Sequence, residues 1–176
     1  SDRVKYGMIS VIIHEVGHNY FPMIVNSDER QWGWMDEGLD TFMQYLTEQE
    51  RETDYPSRRG DPSKIVRYMS GDQDFISPIM SNPENVFQLG PNAYGKPATA
   101  LNILRETIMG KELFDYAFKT YAQRWMFKHP SPEDFFRTME DASAVDLDWF
   151  WRAWFYTSDH VDISLDEVNW FQMNTK

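Results

Sequence analysis

The segment from His14 to His18 reads His-Glu-Val-Gly-His and lies in an apolar stretch of the chain. Side chains four positions apart share one face of an α-helix, so both imidazoles can bind the same ion. Two histidines at this spacing are typical of a zinc site, and Glu15 lies beside that face, where it can act as a base on a zinc-bound water. The segment therefore predicts a helix, a zinc ion and a hydrolytic reaction.

A third ligand is expected because a catalytic zinc takes three protein ligands and keeps one position open. Glu37, in the segment Trp34–Gly38, follows His18 by 19 positions and is the candidate. A three-histidine site requires Gly and His at positions where this chain has Phe21 and Ile24. The sequence thus favours two histidines and one glutamate as the ligand set.

These motifs resemble those of the aminopeptidase N family, which belongs to the gluzincins, zinc metallopeptidases with a thermolysin-like catalytic domain. Members carry the His-Glu-x-x-His motif, eighteen intervening residues, and then Glu within Trp-x-Asn-Glu-Gly, where this chain has Asp36 for Asn. They next carry Tyr-x-Lys-Gly-Ala, which residues 94–98 match with Pro97 in place of Gly. The resemblance extends over roughly residues 8–127 and implies that Tyr94 stabilises the transition state.

One family motif has no match: Gly-x-Met-Glu-Asn, which precedes the zinc motif and recognises the free amino terminus of the substrate. Thirteen residues precede His14, and the β-sheet that the family places before the zinc helix has no counterpart among them. We therefore expect residues 1–176 to be a single domain, the helical portion of a gluzincin catalytic domain, separated from its upstream sheet and N-terminal domain. Such a fragment is not assured of activity by itself.

Apolar periodicity predicts a mainly α-helical, multi-helix domain. The first helix is expected over about residues 4–21, and we expect it to be buried because its apolar residues occur almost all round. Further helices are expected at about 35–51, 62–69, 94–109, 111–128, from 132 onwards, and 147–156. Residues 71–92 form a long loop, which we interpret as a wall of the active-site cleft. The tail after residue 159 is expected to be a strand or an extended strap.

Composition excludes several classes of partner. The net charge of −11 argues against nucleic acid and anionic membrane surfaces, since both require clustered Lys and Arg. No apolar run is long enough to span a membrane. The chain has no cysteine, so a Cys-ligated zinc is impossible, and the compartment stays open between secreted or periplasmic and cytoplasmic. The expected partners are a peptide substrate and the remainder of the longer chain.

Each candidate residue also has a plainer interpretation. His14 and His18 could be hydrogen-bonded core histidines, and Tyr94 could be a packing residue. Asp36 could orient a metal ligand or cap the second helix. Lys96 could neutralise nearby carboxylates or be solvated surface. The aromatic run at 149–156 could be a substrate platform, although a core helix accounts for it more simply.

The predicted function is zinc-dependent peptide-bond hydrolysis, with removal of amino-terminal residues favoured. The predicted metal ligands are His14, His18 and Glu37, and the predicted catalytic residues are Glu15, which activates a zinc-bound water, and Tyr94. Two alternatives stay open: a non-catalytic, zinc-containing peptide-binding module, and an endopeptidase of the same architecture.

Overall fold

The computed structural model describes residues 1–161 and 163–172. Within these residues the chain is mainly α-helical and has no β-strand, which confirms the predicted fold class. Its α-helices are α1 (Asp2–Gly17), α2 (Leu39–Arg51), α3 (Val66–Met69), α4 (Lys96–Ile103), α5 (Lys111–Trp125), α6 (Pro132–Ser143) and α7 (Asp148–Trp151).

Wider, π-helical turns extend three of these helices. Trp34–Gly38 leads into α2, Gly90–Gly95 leads into α4, Leu104–Ile108 follows α4, and Arg152–Tyr156 follows α7. Such turns are rare and frequently occur at functional sites. Here they carry the predicted metal ligand Glu37 and the predicted catalytic residue Tyr94.

Local sequence signals account for several helix boundaries. The hydroxyl of Ser131 accepts a hydrogen bond from the backbone N–H of Asp134, whose carboxylate accepts one from the Ser131 N–H, and Pro132 occupies the first turn of α6. Gly110, at φ 81°, separates the π-helical turn after α4 from α5. Both boundaries agree with the sequence-based prediction.

Aromatic side chains from distant segments form the core. The rings of Trp34 and Phe155 lie 4.8 Å apart between centroids, and so do those of Tyr121 and Phe135. Truncation of buried aromatic residues to Ala typically costs about 3–5 kcal/mol of stability. The turn Trp34–Gly38 carries Glu37, and its first residue, Trp34, is anchored in the core. This anchor helps to position the Glu37 carboxylate.

The aromatic run at 149–156 belongs mostly to this core. Phe150, Trp151 and Phe155 are buried, whereas Trp149 and Tyr156 are exposed. The interpretation as a core helix is therefore supported, since the buried members pack inward from α7 and the turn that follows it.

The prediction that the first helix is buried is wrong. No residue of α1 is buried, and Met8, Val11, Ile12 and Val16 are each more than half exposed. The cause is that α1 packs mainly against α2, so one side of an almost uniformly apolar helix is covered and the other is left open.

The chain after Asp159 is exposed and has no regular secondary structure across residues 160–161 and 163–172. The predicted strand is therefore absent from this part of the tail, while position 162 and positions 173–176 lie outside the described residues. Among the helices described, none combines the length and the apolar character that crossing a bilayer requires.

Two glycines let the segments of the candidate site approach each other. A Cβ atom at Gly17 would lie 1.9 Å from a carboxylate oxygen of Asp40, so only a glycine in α1 admits this side chain. A Cβ atom at Gly38 would lie 2.6 Å from Pro97 and 2.9 Å from the carbonyl oxygen of Ala93. Gly17 thus joins α1 to α2, and Gly38 brings the Glu37 turn against the Tyr94 segment.

Candidate metal centre

Two imidazoles and one carboxylate meet between α1 and the turn before α2. His14 and His18 lie one turn apart, with ring centroids 4.6 Å from each other. The Nε2 atom of His14 lies 3.1 Å from Oε2 of Glu37, and the Nε2 atom of His18 lies 3.4 Å from the same oxygen. The structure therefore brings these three predicted ligands together around one point.

The other ring nitrogens are held by oxygen atoms. His14 Nδ1 lies 2.6 Å from Oδ2 of Asp40, and His18 Nδ1 lies 2.9 Å from the carbonyl oxygen of Phe21 and 3.2 Å from Oδ1 of Asp36. In metal sites, a ligating histidine almost always donates its second N–H to a carboxylate or carbonyl, which fixes the tautomer. Both rings therefore keep Nε2 directed towards Glu37.

The distances from Glu37 to the two imidazoles are close to those between ligand atoms of a tetrahedral zinc site. Zinc binds histidine nitrogen at about 2.0–2.1 Å and carboxylate oxygen at about 2.0–2.2 Å, so two of its ligand atoms lie roughly 3.3–3.5 Å apart. The nitrogen-to-oxygen distances of 3.1 and 3.4 Å lie close to this range. Each imidazole therefore lies at a distance from Glu37 that suits two ligands of one zinc ion.

Burial disfavours the charged forms of the three carboxylates at this site, Asp36, Glu37 and Asp40. Burial raises the pKa of Asp36 to about 8, and the neighbouring carboxylates of Glu29, Glu37 and Asp40 add to this increase. Contacts with Asp40 and then with Glu37 raise the pKa of His14 to about 10, although burial acts in the opposite direction. A divalent cation compensates such a group of carboxylates, because buried charges are costly unless they are paired or coordinate a metal.

Glu37 remains ionised in this setting. Burial acts to raise the pKa of Glu37, but the contacts with His14 and Tyr94 and the nearby imidazoles outweigh it, so the pKa lies below its usual value. An ionised carboxylate is the form that binds a metal ion.

Tyr94 lies against the same group. Its ring is stacked with that of His14 at a centroid distance of 5.8 Å and an interplanar angle of 26°. Burial raises the pKa of Tyr94, and the adjacent Glu37 carboxylate raises it further. The phenol therefore keeps its proton and can donate a hydrogen bond into the site.

Glu15 projects from the same helix turn as the two histidines but is exposed. Its carboxylate makes no hydrogen bond or ion pair with the part of the chain that the structure describes. Its carboxylate is therefore available to a water or a substrate, and its role as the base stays a prediction.

Lys96 is not solvated surface, and the carboxylate that acts on its pKa is Asp159, outside the candidate metal centre. The side chain is 1% exposed, and its ammonium donates a hydrogen bond to the carbonyl oxygen of Thr157 at 3.0 Å. Burial lowers the pKa of Lys96 to about 8. This residue therefore holds the chain that follows α7 instead of neutralising the carboxylates of the site.

Sequence reasoning missed Asp40 and Arg59. Asp40 lies in the first turn of α2, 1% exposed, against His14, and the guanidinium carbon of Arg59 lies 4.7 Å from the centroid of the Tyr94 ring. An acidic residue three positions after Glu37 was a usable signal for Asp40, since α1 has to face this turn. No local pattern singles out Arg59.

We expect Asp40→Asn to weaken zinc binding by about 10–100-fold, the usual effect of removing a partner that orients a ligand. The amide cannot hold the protonated Nδ1 of His14 as a carboxylate does, so the ring loses its fixed orientation. Competition with a chromophoric chelator measures the affinity. Asp141→Asn, at an exposed ion pair with Arg124, is the control, and equal affinities in the two variants would show that Asp40 does not orient His14.

Comparison with known proteins agrees with this geometry. Residues 1–154 match the model of the peptidase family M1 domain. The chain is 26% identical to human glutamyl aminopeptidase over 151 residues, 22% identical to aminopeptidase N of Lactococcus lactis over 167 residues, and 28% identical to aminopeptidase N of Escherichia coli over 151 residues.

These alignments cover most of this chain but a small part of each relative. They include 82%, 90% and 81% of the chain, and 16%, 20% and 17% of the three relatives, in the same order. The chain therefore spans no more than about a fifth of the length of these curated proteins. The family match covers well over half of the chain, and the chain belongs to peptidase family M1.

Proposed function

We propose that this chain carries a zinc-dependent peptidase centre in which His14, His18 and Glu37 bind the metal. The observation that supports this most directly is that both Nε2 atoms face one oxygen of Glu37, at 3.1 and 3.4 Å. Membership of a peptidase family supports peptide hydrolysis as the reaction.

Four side chains act on the reaction in this proposal. When bound, zinc supplies a Lewis acid that polarises the substrate carbonyl and lowers the pKa of water. Glu15 takes the proton of the attacking water and passes it to the leaving amine. Tyr94 donates a hydrogen bond to the oxygen of the former carbonyl as negative charge develops there. Asp36 and Asp40 hold the two imidazoles in the orientation that this geometry needs.

We further propose that the centre removes residues from amino termini. The named relatives are aminopeptidases, and the chain aligns with them over four fifths of its length or more. The rival within this class is an endopeptidase, which cleaves within a chain and needs no free amino group. The two differ in what they require on the amino-terminal side of the scissile bond.

The experiment is a pair of peptides that differ only by acetylation of the amino terminus, tested on protein whose zinc content is measured by elemental analysis. We expect one zinc per chain, cleavage of the free peptide, and at least about a hundredfold slower cleavage of the acetylated one. A chelator should abolish cleavage, and added zinc should restore it. Equal cleavage of both peptides would exclude the aminopeptidase assignment, and a metal-free protein with full activity would exclude the zinc site.

We also propose that the chain works together with the remainder of a longer polypeptide. Two observations support this: the chain covers less than a quarter of its relatives' length, and α1, which carries both histidines, exposes apolar side chains on the side away from α2. The longest natural chain that contains these residues is therefore the right sample for activity measurements.

A further inference from the structure

Arg59 is an exposed arginine beside the candidate metal centre. Arg30, Arg105 and Arg124 each form an ion pair with an acidic side chain. Arg59, like the six remaining arginines, forms none with residues 1–161 and 163–172. Partial burial of the guanidinium lowers the pKa of Arg59, whereas the nearby Tyr94 and Glu37 act to raise it. An exposed guanidinium that forms no ion pair can bind a carboxylate supplied by a ligand.

The position of Arg59 is fixed by Tyr94. The guanidinium carbon lies 4.7 Å from the centroid of the Tyr94 ring, a cation–π contact. The same ring is stacked with that of His14 at 5.8 Å. An extended peptide advances about 3.3–3.6 Å per residue. The distance from the guanidinium to the His14 ring is therefore no greater than the length of about three residues of an extended substrate.

A cavity of about 120 Å³ connects the two groups, since both Arg59 and His14 line it. Glu48 lines the cavity as well, but its buried carboxylate accepts hydrogen bonds from Gln44 and Ser57. Glu48 forms no ion pair with Arg59, and the carboxylate that acts on the pKa of Arg59 is that of Glu37. The guanidinium of Arg59 stays available to a carboxylate that approaches the Tyr94 ring.

We infer that Arg59 binds a carboxylate of the peptide substrate, and so determines specificity for the reaction proposed above. Guanidinium groups bind carboxylates through two parallel hydrogen bonds, and stacking on an aromatic ring holds the plane of the fork. Two sources supply this chemistry: an acidic side chain near the scissile bond, or the terminal carboxylate of a short peptide. This inference rests on the proposed peptidase function for the placement of the peptide.

Binding tests the inference separately from turnover. The sample is the zinc-loaded full chain with Glu15→Gln, so that bound peptide is not consumed, and affinities are measured by isothermal titration calorimetry. One pair of peptides has neutral side chains and either a free or an amidated carboxyl terminus. The other pair is amidated and has either Glu or Gln next to the scissile bond. Each pair thus differs by one carboxylate.

We expect Arg59→Gln to lower the affinity for the carboxylate-bearing member of one pair by about tenfold or more, which is the usual scale for a charged hydrogen-bonded pair. Affinity for the neutral member should change less than twofold. The pair that shows the loss identifies the source of the carboxylate. Arg59→Lys, which keeps the charge but not the planar fork, should restore part of the affinity. Arg67→Gln, at an exposed position on α3, should change neither pair.

Two results would overturn the inference. Equal losses for both members of each pair would mean that Arg59 only supports the Tyr94 ring. No discrimination between acidic and neutral peptides by the unsubstituted Arg59 protein would mean that the guanidinium meets no carboxylate. Failure of the proposed function gives a different result. The protein with Glu15 intact would then bind zinc, and its binding of peptides would depend on Arg59. It would nevertheless leave a neutral peptide uncleaved.

Discussion

Glu15→Gln is expected to lower kcat by about 10²–10⁴-fold, because general base catalysis contributes roughly this factor. Gln has nearly the same size but cannot accept the proton of the attacking water. Glu15 is exposed and makes no hydrogen bond or ion pair within the described chain, so the substitution removes no structural contact. The measurement is kcat and KM on a peptide with a free amino terminus, with zinc content determined on the same sample.

The control for this experiment is Glu112→Gln, an exposed glutamate on α5. It removes the same charge from the surface and should leave kcat, KM and zinc content unchanged. Retention of full turnover by Glu15→Gln would exclude Glu15 as the base. If the unsubstituted protein binds zinc and peptides but cleaves none, the non-catalytic binding module becomes the correct interpretation, and Glu15→Gln then has no effect.

The positions of the helices could be predicted because apolar periodicity is a local property. The first helix was expected over residues 4–21 and extends over Asp2–Gly17, and α5 was expected over 111–128 and extends over Lys111–Trp125. The π-helical turns were not predicted, since their wider spacing arises from packing. Trp34, for example, fills the aromatic core while the next turn directs Glu37 towards α1.

The burial of α1 could not be predicted from α1 alone. Apolar residues such as Ile12 and Val16 show that several sides of the helix could pack against other segments. The sequence of α1 does not show which of those sides another segment contacts. In the described structure α2 covers one side of α1. Burial is therefore the weaker inference from an apolar helix, and helix formation is the stronger one.

The residues of the candidate site also fall into two groups, those that the local sequence predicts and those that depend on contacts between distant segments. His14, His18 and Glu37 follow from motif spacing, and the structure brings their side chains together. Asp40 and Arg59 depend on tertiary contacts. The approach of Asp40 requires a glycine at position 17 of another helix, and Arg59 reaches Tyr94 from a loop far away in sequence.

Glu37→Gln is expected to lower zinc affinity by at least about a hundredfold, more than the roughly 10–100-fold expected when a residue that only orients a ligand is lost. The amide is neutral, so the site loses a charge that the divalent ion needs, and the amide oxygen is a poorer zinc ligand than a carboxylate. Competition with a chelator measures the affinity. Glu50→Gln, exposed on the same α2 helix, is the matched control and should bind zinc as the unsubstituted protein does.

Comparison with Asp40→Asn decides between two possible ligand sets. His14, His18 and Asp40 offer ligand atoms within 4.8 Å of one another, so Asp40 is the rival of Glu37 as the third ligand. Asp40 faces Nδ1 of His14, however, whereas Glu37 faces Nε2 of both rings. If zinc lies among the Nε2 atoms, Glu37→Gln must cost more affinity than Asp40→Asn. The opposite order would place the ion on the Nδ1 side of His14 and make Glu37 the orienting residue, so the ranking of two otherwise similar substitutions locates the metal.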